Sequence, residues 1–258
     1  MKIVVLAKEV PDTYGERELD LETGLVDRGA SEAVLDEICG RAMEVAVSHA
    51  EEHEGTEVVA VSVGPESAAS TLREALAIGA DSAVHVSDDG LLGADIMLTA
   101  EVLAAVVGRL EADLVLTGNQ STDGMGGVMP AILAELLDLP QVTNLDSIEI
   151  FSDRISGNRA SDHGTAGISA PLPAIASITD RLPDPRFPSF KGKSAAKKKP
   201  SETLSLADLN ISLDDDQAPR SILLSVAARP ARTGGVKVTD EGDGGTQIVD
   251  FLEKNRLV

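Results

Sequence analysis

The chain is poor in aromatic side chains, in cysteine and in positive charge, and each shortage removes a class of function. Of its 258 residues only Tyr14, Phe151, Phe187, Phe190 and Phe251 are aromatic. A core must therefore be assembled from Val, Leu, Ile and Ala, and an aromatic ring outside that core carries information. The single Cys39 excludes a disulfide framework, a cysteine zinc site and a cysteine-ligated iron–sulfur cluster, and it suits a reducing compartment. Lys and Arg number 22 against 43 Asp and Glu, a formal charge of −21. Such a surface repels nucleic acid and anionic lipid, because both are bound by neutralising phosphates. The acid excess runs along the whole chain rather than gathering in a tail, as expected of a halophilic surface solvated in concentrated salt. No apolar run approaches the roughly 20 residues of a membrane-spanning helix. The opening MKIVVLAKEVPD is too short in apolar residues for a signal peptide. A cytoplasmic protein without membrane insertion is expected.

What is present is a regular alternation of two periodicities. Ile3–Ala7 is a continuous β-branched run, the mark of a strand buried on both faces of a parallel sheet. After a polar connection from Lys8 to Ala30, Ser31 offers an N-cap. Leu35, Ile38, Ala42, Val45 and His49 then recur every three to four residues, predicting an amphipathic helix to about Glu52. Val58–Val63 reads as a second buried strand, Gly64-Pro65-Glu66 opens a helix with proline in its first turn, and Gly79 closes it. Ala83–Val86, Ile96–Leu110 and Leu114–Thr117 continue as strand, helix and strand. This alternation argues for an α/β fold with a mostly parallel sheet and right-handed crossovers. Beyond about residue 145 the texture changes, and Ser147–Phe151, Arg154–Arg159 and Ile175–Thr179 are expected to be short antiparallel additions to the same sheet. Residues 180–203 hold four of the 12 prolines and five of the nine lysines, predicting a mobile, exposed, extended segment. From Leu204 the chain has one short helical pattern, an Asp/Gly-rich loop and an amphipathic stretch, Thr246–Asn255, suited to embracing a partner. The expected organisation is a core over 1–183, a segment over 184–203 and an arm over 204–258.

Open parallel sheets bind ligands beyond the carboxyl ends of their strands, which directs attention to Lys8–Asp12, Gly64-Pro65 and Gly118–Met129. In the last of these, GNQSTDGMGGVM, the residues Gly118, Gly124, Gly126 and Gly127 permit close backbone approach, while Asn119, Gln120, Ser121, Thr122 and Asp123 offer side-chain hydrogen bonds. Its amides are free to meet phosphate at the start of a helix over 130–137. An ordinary βα loop is the plainer alternative, since neither GxGxxG nor GxxxxGK[ST] occurs. His49, His53, His85 and His163 lack metal-ligand spacing, and no metal site is expected. No Ser or Cys stands in a nucleophile motif, and Cys39 reads as a small buried residue. The stretch Lys191–Lys199 places five cations, among them Lys191, Lys197, Lys198 and Lys199, beside Phe187 and Phe190. A hydrophobic anchor with a charged rim is the pattern of a docking hot spot. A solvated linker whose rings tuck back onto the domain is the alternative.

From end to end the chain resembles the beta subunits of electron transfer flavoproteins. The resemblance rests on VVLAKEVPDT (4–13), VLDEICGRAMEVA (34–46), the stretch 58–81, TGNQSTDGMGG (117–127) running into LLDLPQV (136–142), PLPAI (171–175), DPRFPSFKGKSAAKKK (184–199), ADLNI (207–211) and GVKVTDEGDGGTQIVDFL (235–252). It implies a core related to the adenine-nucleotide hydrolases (Rossmann-like) with an extended C-terminal arm, and an electron carrier rather than a stand-alone enzyme. In this family a heterodimer of alpha and beta subunits holds one FAD, mainly in the alpha subunit. It takes electrons from flavin dehydrogenases such as acyl-CoA dehydrogenases and passes them to a membrane quinone oxidoreductase. The beta subunit usually holds a structural AMP, replaced by a second FAD in electron-bifurcating members.

Carried over position by position, the resemblance puts the nucleotide on Leu6, Asp36 to Cys39, Val63, and Gly118 through Val128 and Met129. It puts Thr13, Tyr14 and Ile38 near the flavin, and a partner-recognition loop over Phe187–Lys199 with Phe190 as its plug. Asp36 stands where the family commonly has Asn, and Gly126, Val128 and Met129 replace mostly polar residues. A glutamate that some members carry is Ala166 here. Two other classes remain open on the residues alone. A nucleotide-binding regulatory protein of universal-stress type would leave 180–258 unexplained, and a nucleotide-dependent enzyme would lack its motifs.

Overall fold

The computed structural model describes all residues except 16, 214–218, 233 and 236. The first apolar run forms β1 (Lys2–Leu6), followed by a short antiparallel ribbon, β2 (Glu9–Pro11) with β3 (Ala33–Leu35), inside what reads in sequence as a connection and a helix start. Helix α1 (Glu37–Glu52) therefore begins five residues later than a Ser31 cap implies. Pairing with β2 holds 33–35 extended, and Asp36 is the N-cap. Cross-strand pairing of this kind leaves no trace in helical periodicity. β4 (Glu57–Val63) follows, then a single 3-10 turn over Glu66–Ala68, α2 (Ala69–Ile78), β5 (Ser82–Val86), α3 (Ile96–Leu110), β6 (Leu114–Gly118) and α4 (Met129–Leu137). The remaining elements of the first unit are β7 (Gln141–Leu145), β8 (Ser147–Ile150), β9 (Arg154–Ser161), β10 (Gly164–Pro171), β11 (Ala174–Ile178), α5 (Phe190–Ala196) and β12 (Ser201–Leu204).

Seven of these strands form one parallel sheet in the order β12-β5-β4-β1-β6-β11-β7. The expectation that residues 147–179 add antiparallel strands to this sheet is corrected on two counts. β11, AIASI, is buried throughout and lies parallel between β6 and β7. Small and β-branched residues on both faces suit the sheet interior, and direction is set by the connection rather than by composition. β8, β9 and β10 form a separate three-stranded antiparallel sheet. Their half-exposed alternation suits a cover rather than a core.

Apolar side chains fill both faces of the parallel sheet. On one face, Ile3, Val5, Leu114, Leu116 and Ile178 meet α1 and α2 together with Ile155 and Ala170 of the antiparallel sheet. On the other, Val4, Val59, Val61, Val115 and Ile175 meet Leu98, Val102 and Val106 of α3 and Leu133 of α4. With both faces covered, the sheet is the buried parallel kind that βαβ crossovers produce.

Residues 184–204 are tied down rather than extended and mobile. α5 lies on α2 so closely that a Cβ on Gly192 would stand 2.4 Å from the Ala77 carbonyl oxygen. The Lys199 ammonium donates to the carbonyls of Leu76, Gly79 and Ala80 at the end of α2, and β12 extends the parallel sheet beside β5. The chain forms two compact units, Met1–Ser225 and Val226–Val258. The second contains α6 (Gly244–Lys254), close to the expected amphipathic stretch, with Ile248, Val249 and Phe251 exposed.

If β11 is central, Ile175→Ala removes a fully buried side chain and should cost about 3 kcal/mol in urea unfolding. A loss below about 1 kcal/mol would place the strand at a sheet edge.

Candidate functional site

The chain leaves β1 towards β4 and β5 on one side and returns to β6 on the other, so strand order reverses between β1 and β6. Crevices at such switch points, outside the carboxyl ends of the strands, are where open α/β sheets bind ligands. Here the crevice is bordered by Lys8 after β1, the first turn of α1 and the Gly-rich loop after β6.

Asp36 organises this corner. Its side chain is fully buried, Oδ1 accepts the Ile38 and Cys39 amides at 3.0 and 3.1 Å, and Oδ2 accepts the Thr122 amide at 2.7 Å. One carboxylate thus caps α1 and anchors the loop, with its charge set at the positive end of the helix dipole. Lys8 Nζ crosses from β1 to Asp123 Oδ1 at 2.8 Å and Ser121 Oγ at 3.2 Å, and the Arg17 guanidinium donates to the Thr122 carbonyl. Burial pushes the Asp123 carboxyl up, but hydrogen bonds from Lys8 and Ser121 outweigh it and hold the group below its ordinary range. Gly118 allows the close approach where β6 meets α1, since a Cβ there would be 3.0 Å from the Ile38 side chain. Burial, then the Asp36 charge, push the Cys39 thiol well up, so it stays neutral.

The orphan groups point to a ligand. Among the described residues, Asn119 Oδ1, Thr122 Oγ1, Ser31 Oγ and, near the end of β4, Ser62 Oγ are buried without a partner. A buried polar atom left unpaired costs about 1–3 kcal/mol, and two of these four lie in the one glycine-rich loop. No side chain caps the first turn of α4, which Gly126, Gly127 (φ +66°) and Val128 lead into. The corner therefore offers oxygen atoms for a base or sugar and backbone amides for an anion, which fits a nucleotide.

The remaining sequence-derived residues are distributed as follows. The Leu6 side chain is buried in the core, so only its backbone borders the crevice, and Val63 is half-buried at the end of β4. Gln120 is half-buried; Gly124, Gly126, Gly127 and Val128 are exposed; Met129 is half-buried. Thr13 and Tyr14 are exposed beyond β2, Tyr14 at 94%, whereas Ile38 is buried against Gly118. Phe187 and Phe190 are 97% and 94% exposed. Lys191, Lys197 and Lys198 are exposed beside them, but Lys199 is spent on α2 carbonyls. Among the described residues no group of three His, Cys, Asp or Glu is arranged to hold a metal ion, and no described helix is long and apolar enough to cross a membrane.

Two features escaped the sequence reading. Lys8 lies in a flagged loop, but its partners are more than 100 residues away. Arg186, inside the DPRF element, makes a fork with Glu44 and Glu51 of α1 at 2.6–3.1 Å. Burial raises the Glu44 carboxyl, and hydrogen bonds from Arg186 more than reverse this, leaving it below its ordinary range. The proximity of these groups depends on the packing of residues 182–186 along α1, which no local pattern encodes.

Comparison with known proteins shows the family. The electron transfer flavoprotein domain model matches residues 23–209, a span containing the Gly-rich loop, the Arg186 segment and β12. The chain is 46% identical to the electron transfer flavoprotein subunit beta of Mycobacterium leprae over 99% of both chains, and 34% identical to that of Bacillus subtilis over the full length of both. The chain belongs to the electron transfer flavoprotein beta-subunit family. It is also 33% identical to the caffeyl-CoA reductase–Etf complex subunit CarD of Acetobacterium woodii over 93% of this chain and 92% of that one. The similarity to beta subunits extends past the domain match through both compact units.

In this beta-subunit homologue, Asp36→Asn tests the corner directly. An amide can still accept the Ile38 and Cys39 N–H groups through its oxygen, but its NH2 then faces the Thr122 N–H. The variant should lose about 1–3 kcal/mol and show faster hydrogen exchange at Thr122. Unchanged exchange there would contradict the bridging role.

Proposed function

We propose that the chain is the beta subunit of a heterodimeric electron transfer flavoprotein that carries electrons from flavin dehydrogenases, acyl-CoA dehydrogenases among them, to a membrane quinone oxidoreductase. The observation that carries this reading is end-to-end identity of 46% with a beta subunit. It is supported by a strand-switch corner with buried, unpartnered polar atoms. On this reading the chain acts in the cytoplasm as a carrier component and not as an enzyme by itself.

The corner would hold AMP as a structural ligand. Backbone at Leu6, Val63 and Gly118 and the side chains of Asn119 and Thr122 would surround base and ribose, and amides of 126–129 would meet the phosphate. Asp36 would position the corner rather than grip ribose, because its side chain is fully buried and turned to three backbone N–H groups. An anion near a phosphate is unfavourable unless its charge is offset, and here three amide donors and a helix terminus offset that of Asp36. The FAD, when bound in the complex, supplies the redox couple. Tyr14, exposed with Thr13, would pack near the flavin of the alpha subunit, and Ile38 would support that region from beneath. The unit from Val226 would embrace the alpha subunit through the apolar face of α6. The likeness to CarD favours a second reading in which the corner accepts a second FAD.

Phe187 and Phe190, rimmed by Lys191, Lys197 and Lys198, would dock the dehydrogenase, with the lysines steering acidic partners. Co-expression with an alpha subunit should yield a yellow heterodimer reduced by an acyl-CoA dehydrogenase and its substrate. Phe190→Ala should raise the KM for the dehydrogenase roughly tenfold, as for loss of a hot-spot ring, without altering assembly. Unchanged kinetics would remove Phe190 from the docking role, and a flavin-free complex would overturn the reading.

A further inference from the structure

We propose that Arg186 is the positioning residue of the docking segment: clamped to Glu44 and Glu51, it fixes Phe187 and Phe190 in the outward pose that a partner reads. The inference rests on the docking role given to the two rings above.

Two almost fully exposed phenylalanines in a chain with five aromatics demand a physical account. On a loose loop such rings would fold back onto the domain, and ordering them again on binding would cost about 0.5–1.5 kcal/mol per side chain. The residue just before Phe187 prevents this. Arg186 Nε donates to both Glu44 oxygens at 3.1 and 2.9 Å, its terminal nitrogens reach Glu44 at 2.8 Å and Glu51 at 2.6 and 3.0 Å, and one also reaches Ser48 Oγ at 3.2 Å. The Arg186 backbone N–H adds a bond to Glu44 Oε2 at 2.9 Å. Positions 44, 48 and 51 lie on one face of α1, three to four residues apart.

Neighbouring ties hold the same stretch. Arg41 reaches the Leu182 carbonyl and Asp184, and Pro185 sits on Gly40, where a Cβ would be 3.2 Å from the proline ring. On the far side, Ser189 caps α5 through the Gly192 amide, Gly192 lies on the Ala77 carbonyl, and Lys199 closes the end of α2. The segment is thus fastened to α1 before the rings and to α2 after them, leaving the rings themselves free of the domain. A planar five-donor guanidinium can fork onto the Glu44 carboxylate and still hold a second carboxylate and a hydroxyl, six contacts that the three donors of a lysine ammonium on one nitrogen cannot reproduce.

The test uses the FAD-containing heterodimer with Arg186→Gln, Arg186→Lys and the double change Glu44→Gln/Glu51→Gln. The double change keeps Arg186 and removes its charged partners. The KM for an acyl-CoA dehydrogenase should rise about tenfold in all three, with kcat within about twofold and with FAD content and assembly unchanged. In parallel, a nitroxide is attached at Phe187→Cys, the one native cysteine, Cys39, being buried. Its spectrum should be more mobile in each clamp variant than beside native Arg186. A label whose mobility is the same with and without the clamp, or a KM that does not move, overturns the proposal. If the native heterodimer accepts no electrons from the dehydrogenase, the docking role fails, whereas the label still reports whether Arg186 fixes the segment.

Discussion

The structure depends on how the start of α1 is satisfied. A helix beginning in the interior presents amides that no preceding turn can accept, and leaving them unpaired would cost several kcal/mol. Asp36 meets two of these amides with one oxygen and uses the other to hold Thr122. The same fully buried carboxylate therefore sets the helix, the end of β6 against it and the conformation of the Gly-rich loop. Ile38 and Gly118 can approach only because the helix starts where Asp36 makes it start.

From that fixed origin α1 runs along the 182–186 segment. Its first turn borders the strand-switch corner, and Gly40, Arg41, Glu44, Ser48 and Glu51 along it hold residues 182–186. In a chain with 43 acidic residues and 22 basic ones, the arginines and lysines with buried or multiple partners are informative. Lys8, Arg41, Arg186 and Lys199 each tie a loop or segment to the framework, and Lys199 is thereby withdrawn from the exposed part of the lysine cluster.

Much of the architecture was legible because buried parallel strands and amphipathic helices leave strong periodic signals. Ile96–Leu110 was recovered to the residue, and the strands from 58, 83 and 114 within one residue at either end. The misses share one cause, namely pairing with distant chain. β3 looks like a helix start until β2 is beside it, β11 looks like an added strand until β6 and β7 enclose it, and β12 is polar at an edge where only β5 defines it. At the site, glycines and polar residues marked the loop, but the role of Asp36 could be seen only when one oxygen was found on α1 and the other on residue 122. The 184–199 segment was marked by its rings and lysines, while Arg186 stood unremarked among them.

The central claim is that this corner is a built nucleotide site in a flavin-carrying heterodimer, and the most direct measurement is an inventory of what the complex releases. Co-expressed with its alpha subunit, purified and denatured, the heterodimer should release one FAD and one AMP, identified by chromatography and mass. Release of FAD with no second nucleotide would contradict the account, since the buried oxygens of Asn119 and Thr122 would then serve no ligand. Release of two FAD would keep the site but contradict its assignment to AMP.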